Sequence, residues 1–82
     1  MSLPLARSIE PGDFVKAVFK NEATGEAERM WVRVERADPQ RQVVFGRLDN
    51  EPLVNLDLHR GMELAVAYSA ICEHAKNIEF GQ

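Results

Sequence analysis

The stretch Arg29-Met30-Trp31-Val32-Arg33-Val34-Glu35, read together with Val43-Val44-Phe45-Gly46-Arg47-Leu48, decides how this chain folds. In the first segment Met30, Val32 and Val34 alternate with Trp31, Arg33 and Glu35, the two-residue period of a strand with one face buried. Asp38-Pro39-Gln40-Arg41 between the segments is a turn signal, because Asp38 can bond its own backbone and Pro39 presets φ for the first central position of a type I turn. Residues 29–48 are therefore predicted to form an antiparallel hairpin. Matching the apolar faces predicts a register with Val34 opposite Val44, Val32 opposite Gly46 and Met30 opposite Leu48, since a slip of one residue would turn every side chain over. That register sets Trp31 opposite Arg47 and Arg33 opposite Phe45 on the outer face. Arginine and aromatic side chains could stack there, at about 0.5–1 kcal/mol per exposed pair.

Upstream, residues 1–8 are expected to be a flexible N-terminal arm, with structure beginning at Ile9. Glu10-Pro11-Gly12-Asp13 reads as a turn. Phe14-Val15-Lys16-Ala17-Val18-Phe19-Lys20 fits a strand with Val15, Ala17 and Phe19 inward, or a helix with Phe14, Val15, Val18 and Phe19 as its stripe. The strand is favoured because the run is short, rich in β-branched and aromatic residues, and entered through Pro-Gly. Asn21 to Glu26 is a polar loop leading back into the hairpin.

Downstream, Asp49-Asn50-Glu51-Pro52 suits an irregular loop, and Leu53, Val54, Leu56 and Leu58 form a semi-apolar crossing with no assigned element. After the turn His59-Arg60-Gly61-Met62, alternation returns with Met62, Leu64, Val66 and Tyr68 on one face. Ser69 is positioned to cap a short helix reaching Lys76, with Ile71 and Ala75 on its inner side. Residues 77–82 are expected to be a frayed tail. The expected fold is mainly β (α+β), a small bent antiparallel sheet or partly open barrel of four or five strands with one short C-terminal helix, in a single globular domain over residues 9–76.

The chain has 82 residues, 45% of them hydrophobic and 28% charged, with a net charge of −3. That length supports one small core and no deep pocket. Lys and Arg number ten against thirteen Asp and Glu, the two signs are interspersed, and no basic field of the kind that neutralises phosphates is visible, which makes nucleic acid an unlikely partner. No apolar run approaches the roughly 18–20 residues of a membrane span, and the N-terminus lacks a secretory signal. Cys72, the single cysteine, fits a reducing compartment. A cytoplasmic location is the expectation.

Glu28-Arg29-Met30-Trp31-Val32, then Gly46-x-Leu48-x-Asn50-x-Pro52, then Leu58-x-x-Gly61 follow in an order and spacing that resemble the YegJ-like family of small bacterial domains of unknown function. The resemblance spans most of residues 12–71. Met62 departs from it, since such proteins often carry an acidic residue after the glycine. The resemblance implies a compact, mostly β domain of bacterial cytoplasm. Related domains are associated with toxin-immunity loci, which implies a protein partner and an immunity-like role.

Among chemical candidates, Asp49 and Glu51 with nearby Asp57 and His59 invite a small-ligand or metal-dependent hydrolytic reading. The spacing does not supply the six or more oxygens a hard cation wants, and turns collect these residue types for backbone reasons. Cys72-x-His74 with His59 falls short of the four ligands of a structural zinc site. No cofactor and no metal are expected. Trp31 either covers a secondary cluster or is exposed as an anchor, and aromatic and arginine side chains are the types enriched at interface hot spots. The leading expectation is a non-enzymatic protein-interaction module that binds a partner through Trp31, Arg33, Phe45 and Arg47 together with the Asp49, Asn50 and Glu51 loop. An open edge strand offers a second route, including homodimerisation.

Overall fold

The computed structural model describes residues 8–53 and 57–76. The expectations for the arm before Ser8, for Val54 and Leu56, and for the tail from residue 77 lie outside the described residues. Five strands follow in order: β1 (Phe14–Lys20), β2 (Ala27–Asp38), β3 (Val43–Leu48), β4 (Glu63–Ala67) and β5 (Ile71–Ala75), with one 3-10 turn (Tyr68–Ala70) between the last two. They form one antiparallel sheet in the spatial order β4-β3-β2-β1-β5.

The 12-residue β2 is the shared element. Its first half, from Ala27 to Arg33, pairs with β1, and its second half, from Val32 to Asp38, pairs with β3. The chain itself forces the sheet to curl. Strands β4 and β5 end the order at opposite edges, about 19 Å apart in a flat sheet, yet only the 3-10 turn connects them. Four peptide steps from Ala67 to Ile71 reach at most about 15 Å, so the two edges must converge at that end. The concave side encloses the core of Ile9, Val15, Ala17, Met30, Val32, Val34, Val44, Leu48, Val66 and Ile71.

The core face expected of the central hairpin is the observed one, as is the strand at residues 14–20 with Val15 and Ala17 buried and Phe19 packed against the core. The hairpin register is not. Val32 lies opposite Leu48 and Val34 opposite Gly46, two residues from the expected pairing, so the same side chains remain inside. Beyond Val34 the count changes, because Glu35 is an extra residue and Arg36 meets Phe45. Such a bulge bends the strand and tightens its twist, which suits an open sheet that must curl. The turn is made as the sequence suggests, with Arg41 N–H donating to Asp38 Oδ1 at 3.2 Å, and Gln42 takes a positive φ of 59° to re-enter β3.

Gly46 marks a close approach of β3 to β2. A Cβ there would lie 2.2 Å from the Arg33 carbonyl oxygen, so any larger residue would have to push β2 and β3 apart. In the turn before β1, the Asp13 N–H donates to the Glu10 carbonyl at 3.0 Å and Gly12 supplies the φ of 92° that the turn requires.

The C-terminal helix is not formed. Residues 71–75 are strand β5, paired with β1 from Phe14 opposite Ala75 to Ala17 opposite Ile71, with Cys72 as a second bulge. Ser69 lies within the 3-10 turn and caps nothing. A two-turn helix would depend on tertiary contacts, and here those contacts favour the strand: β1 presents an unpaired edge whose N–H and C=O groups need partners. The spacing of Ile71 and Ala75 fits both states.

Candidate interaction surface

The outer face of β2 and β3 carries the residues singled out by sequence, and the revised register distributes them differently. Trp31 is half-buried. Its neighbour on β1 is Lys16, whose Nζ lies 5.5 Å from the ring centroid. The loop after β3 holds the Trp31 backbone from the other side: Asp49 N–H donates to the Trp31 carbonyl at 2.8 Å, and Trp31 N–H donates to Asn50 Oδ1. Asn50 is thus a loop clamp that replaces a missing ladder partner. Leu53 N–H donates to Glu28 Oε2 at 2.7 Å, fixing the loop a second time. The Gly46-x-Leu48-x-Asn50-x-Pro52 pattern therefore has a structural meaning, a close strand crossing followed by a loop tied to the start of β2.

The expected pairs Trp31–Arg47 and Arg33–Phe45 are not made, because of the two-residue register difference. Phe45 is half-buried beneath Arg36, whose guanidinium carbon is 4.3 Å from its centroid. Arg47 is held on three sides, donating to Glu35 Oε2 at 3.0 Å, Glu63 Oε2 at 2.9 Å and the Gly61 carbonyl at 3.0 Å. The extra residue at Glu35 places the first of these acceptors. Arg33 is exposed between Phe14 on β1 and Arg47 on β3. Two arginines directly opposed would repel, and the carboxylates on Arg47 relieve that repulsion. Among the described residues Arg33 takes part in no ion pair.

Arg33, Arg47 and Asp49 share one surface groove of about 600 Å³, closed by Gly12 on one side and by Arg60 and Gly61 on the other. Asp49 also lies 3.9 Å from Arg60. Phe45 lines a separate hollow of about 350 Å³ with Arg36 and Ala65. Glu51 is exposed at the loop tip. Asp57 lies on a third hollow, beside Phe19 and the Asn21–Ala23 turn, while His59 is exposed. Asp49 and Asp57 are thus in different hollows, and among the described residues no three His, Cys, Asp or Glu side chains are grouped to hold a metal ion.

A polar cluster that sequence reasoning missed lies on the other half of the sheet. Asp13, only 3% exposed, receives its Glu10 N–H at 2.9 Å, His74 Nε2 at 2.9 Å and Lys76 Nζ at 3.1 Å on a single carboxylate oxygen. The His74 side chain is 1% exposed. Lys76 also reaches the Ser8 carbonyl at 2.8 Å and Glu10 Oε1 at 3.4 Å. Burial works against its charge, but the hydrogen bond and attraction to Asp13, followed by those to Glu10, outweigh it and raise the Lys76 pKa above the usual 10.5. The cluster ties the end of β5 to the turn before β1. Its sequence signal was the His74-x-Lys76 alternation of a strand, hidden by the helical reading of that segment. Cys72 is separate from it, exposed at the bulge with its thiol donating to the Lys16 carbonyl at 3.4 Å.

No family model matches the chain, and no curated protein or solved structure shows significant similarity to it. Among the described residues no helix is long and apolar enough to cross a membrane.

Proposed function

We propose that this domain is a non-enzymatic protein-interaction module whose principal site is the groove beside Arg33. The observation that carries this reading is an exposed guanidinium on an ordered strand, flanked by Arg60 and by glycine backbone at Gly12 and Gly61, with its nearest cationic neighbour already neutralised by two glutamates. Such a group can form bidentate hydrogen bonds to a partner's carboxylate without first breaking a bond of its own. Trp31, stiffened by Lys16 and the Asn50 clamp, offers a rigid aromatic surface on the same strand, and the Asp49–Glu51 loop supplies an acidic rim. The resemblance to YegJ-like domains supports an immunity-like role for such a surface in bacterial cytoplasm, a compartment that also suits an exposed free Cys72.

Binding of acidic peptides by isothermal titration would test the site. Arg33→Glu should weaken binding of a Glu-rich peptide by at least tenfold while a neutral peptide of the same length is unaffected. Equal binding of both peptides to both proteins would remove Arg33 from the site.

A further inference from the structure

The two open edges of the sheet differ. On β4, the Leu48 N–H donates to the Met62 carbonyl at 3.0 Å and the Tyr68 N–H donates to the Gln42 carbonyl at 2.9 Å, extending the ladder with β3 at both ends. Antiparallel bonding recurs at every second residue, so Leu64 and Val66 turn their backbone groups toward β3. Glu63, Ala65 and Ala67 then point their N–H and C=O groups away from the sheet. All three are exposed, and among the described residues none of these groups is hydrogen-bonded. The segment has no proline, lysine or bulge to discourage another strand. The β5 edge, by contrast, is interrupted by the bulge at Cys72.

We infer that β4 is the seat of two-fold self-association, pairing antiparallel with β4 of a second copy about an axis through Ala65. The sequence of the edge is self-complementary in that register. Ala65 meets Ala65, so nothing large obstructs the axis; Glu63 meets Ala67, so no like charges oppose one another. Glu63 is already hydrogen-bonded to Arg47, which holds its carboxylate against its own sheet. On the concave face, half-buried Leu64 meets Val66 of the second copy and covers its remaining apolar surface. The contact is isologous and closes at two copies, which joins the two sheets into one of ten strands. It deepens the reading of the domain as an interaction module, and rests on that reading, but uses none of the groove residues.

The experiment is sedimentation velocity on the full chain from micromolar to millimolar concentration, with Ala65→Lys and with Ala65→Cys in a Cys72→Ser background. A concentration-dependent dimer is expected for wild type and for Arg33→Ala, together with a monomer for folded Ala65→Lys, where two ammonium groups would meet at the axis. Ala65→Cys should cross-link to itself under mild oxidation, because residues facing each other across an antiparallel pair have a Cα separation of about 5.5 Å, within disulfide reach. A wild type that stays monomeric at millimolar concentration, assemblies larger than two, or a dimer that survives Ala65→Lys would each overturn the inference. Since Arg33→Ala leaves this edge intact, loss of peptide binding and loss of the dimer are separate results.

Discussion

Asp13 shows how much one side chain can organise. Among the described residues its buried carboxylate accepts hydrogen bonds from the Glu10 N–H, His74 and Lys76, and two of these donors are carried by β5 or lie just after it. Asp13→Ala would take the buried His74 ring's acceptor away and leave Lys76 with only the Ser8 carbonyl and Glu10, and an unsatisfied buried hydrogen-bonding group such as the His74 ring costs about 1–3 kcal/mol. Urea unfolding at neutral pH should show that loss. Lys76 adds a pH dependence whose direction follows from its raised pKa. Its contribution is complete below the ordinary lysine value of 10.5 and is lost as pH climbs through the higher folded value. Wild type should therefore lose stability in the alkaline range above pH 10.5, with a slope that is much flatter in Asp13→Ala.

At the scale of elements, the crossing of β2 and β3 depends on Gly46. Its φ is not positive, so the constraint is space and not backbone conformation. Because a Cβ would sit 2.2 Å from the Arg33 carbonyl, and the obstacle is backbone that cannot rotate aside, Gly46→Ala should destabilise by about 3 kcal/mol. Thermal unfolding by circular dichroism measures it, and a midpoint within a degree or two of wild type would mean the strands can separate at little cost. The hairpin also shows what face matching can and cannot specify. Any register differing by two residues keeps Val32, Val34, Val44 and Leu48 inside, so alternation identified the faces but not the partners. The bulge at Glu35, which brings Arg36 over Phe45 and Glu35 onto Arg47, shows in the alternation only as a three-residue step from Val34 to the next inward apolar residue, Ala37.

At the scale of the molecule, β5 is the element on which the curl depends. It pairs with β1 from more than fifty positions away in the chain, and the Asp13 cluster fastens its end. A chain ending at Ala70 would expose the β1 edge, remove Ile71 from the core and take His74 and Lys76 away from Asp13, and it should give the circular dichroism and broad proton spectrum of an unfolded protein. A native-like spectrum would show that the remaining four strands suffice. Alternation and turn chemistry alone determined the β class, the strand at residues 14–20, the inward faces of all three segments around the hairpin and the turn at Asp38, because each is decided by neighbours along the chain. The loop clamp at Asn50 was not legible, because turn chemistry points to bonds within the loop and the N–H it accepts belongs to Trp31 on β2. Only the tertiary structure decided the rest: the register and its bulge, the strand at residues 71–75, the burial of Asp13 with His74, and the separation of Trp31, Arg33 and Phe45 into different surroundings. These depend on which backbone groups at a distant edge still lack partners, and short segments such as Ile71–Ala75 satisfy helical and strand periods equally until that edge is in place.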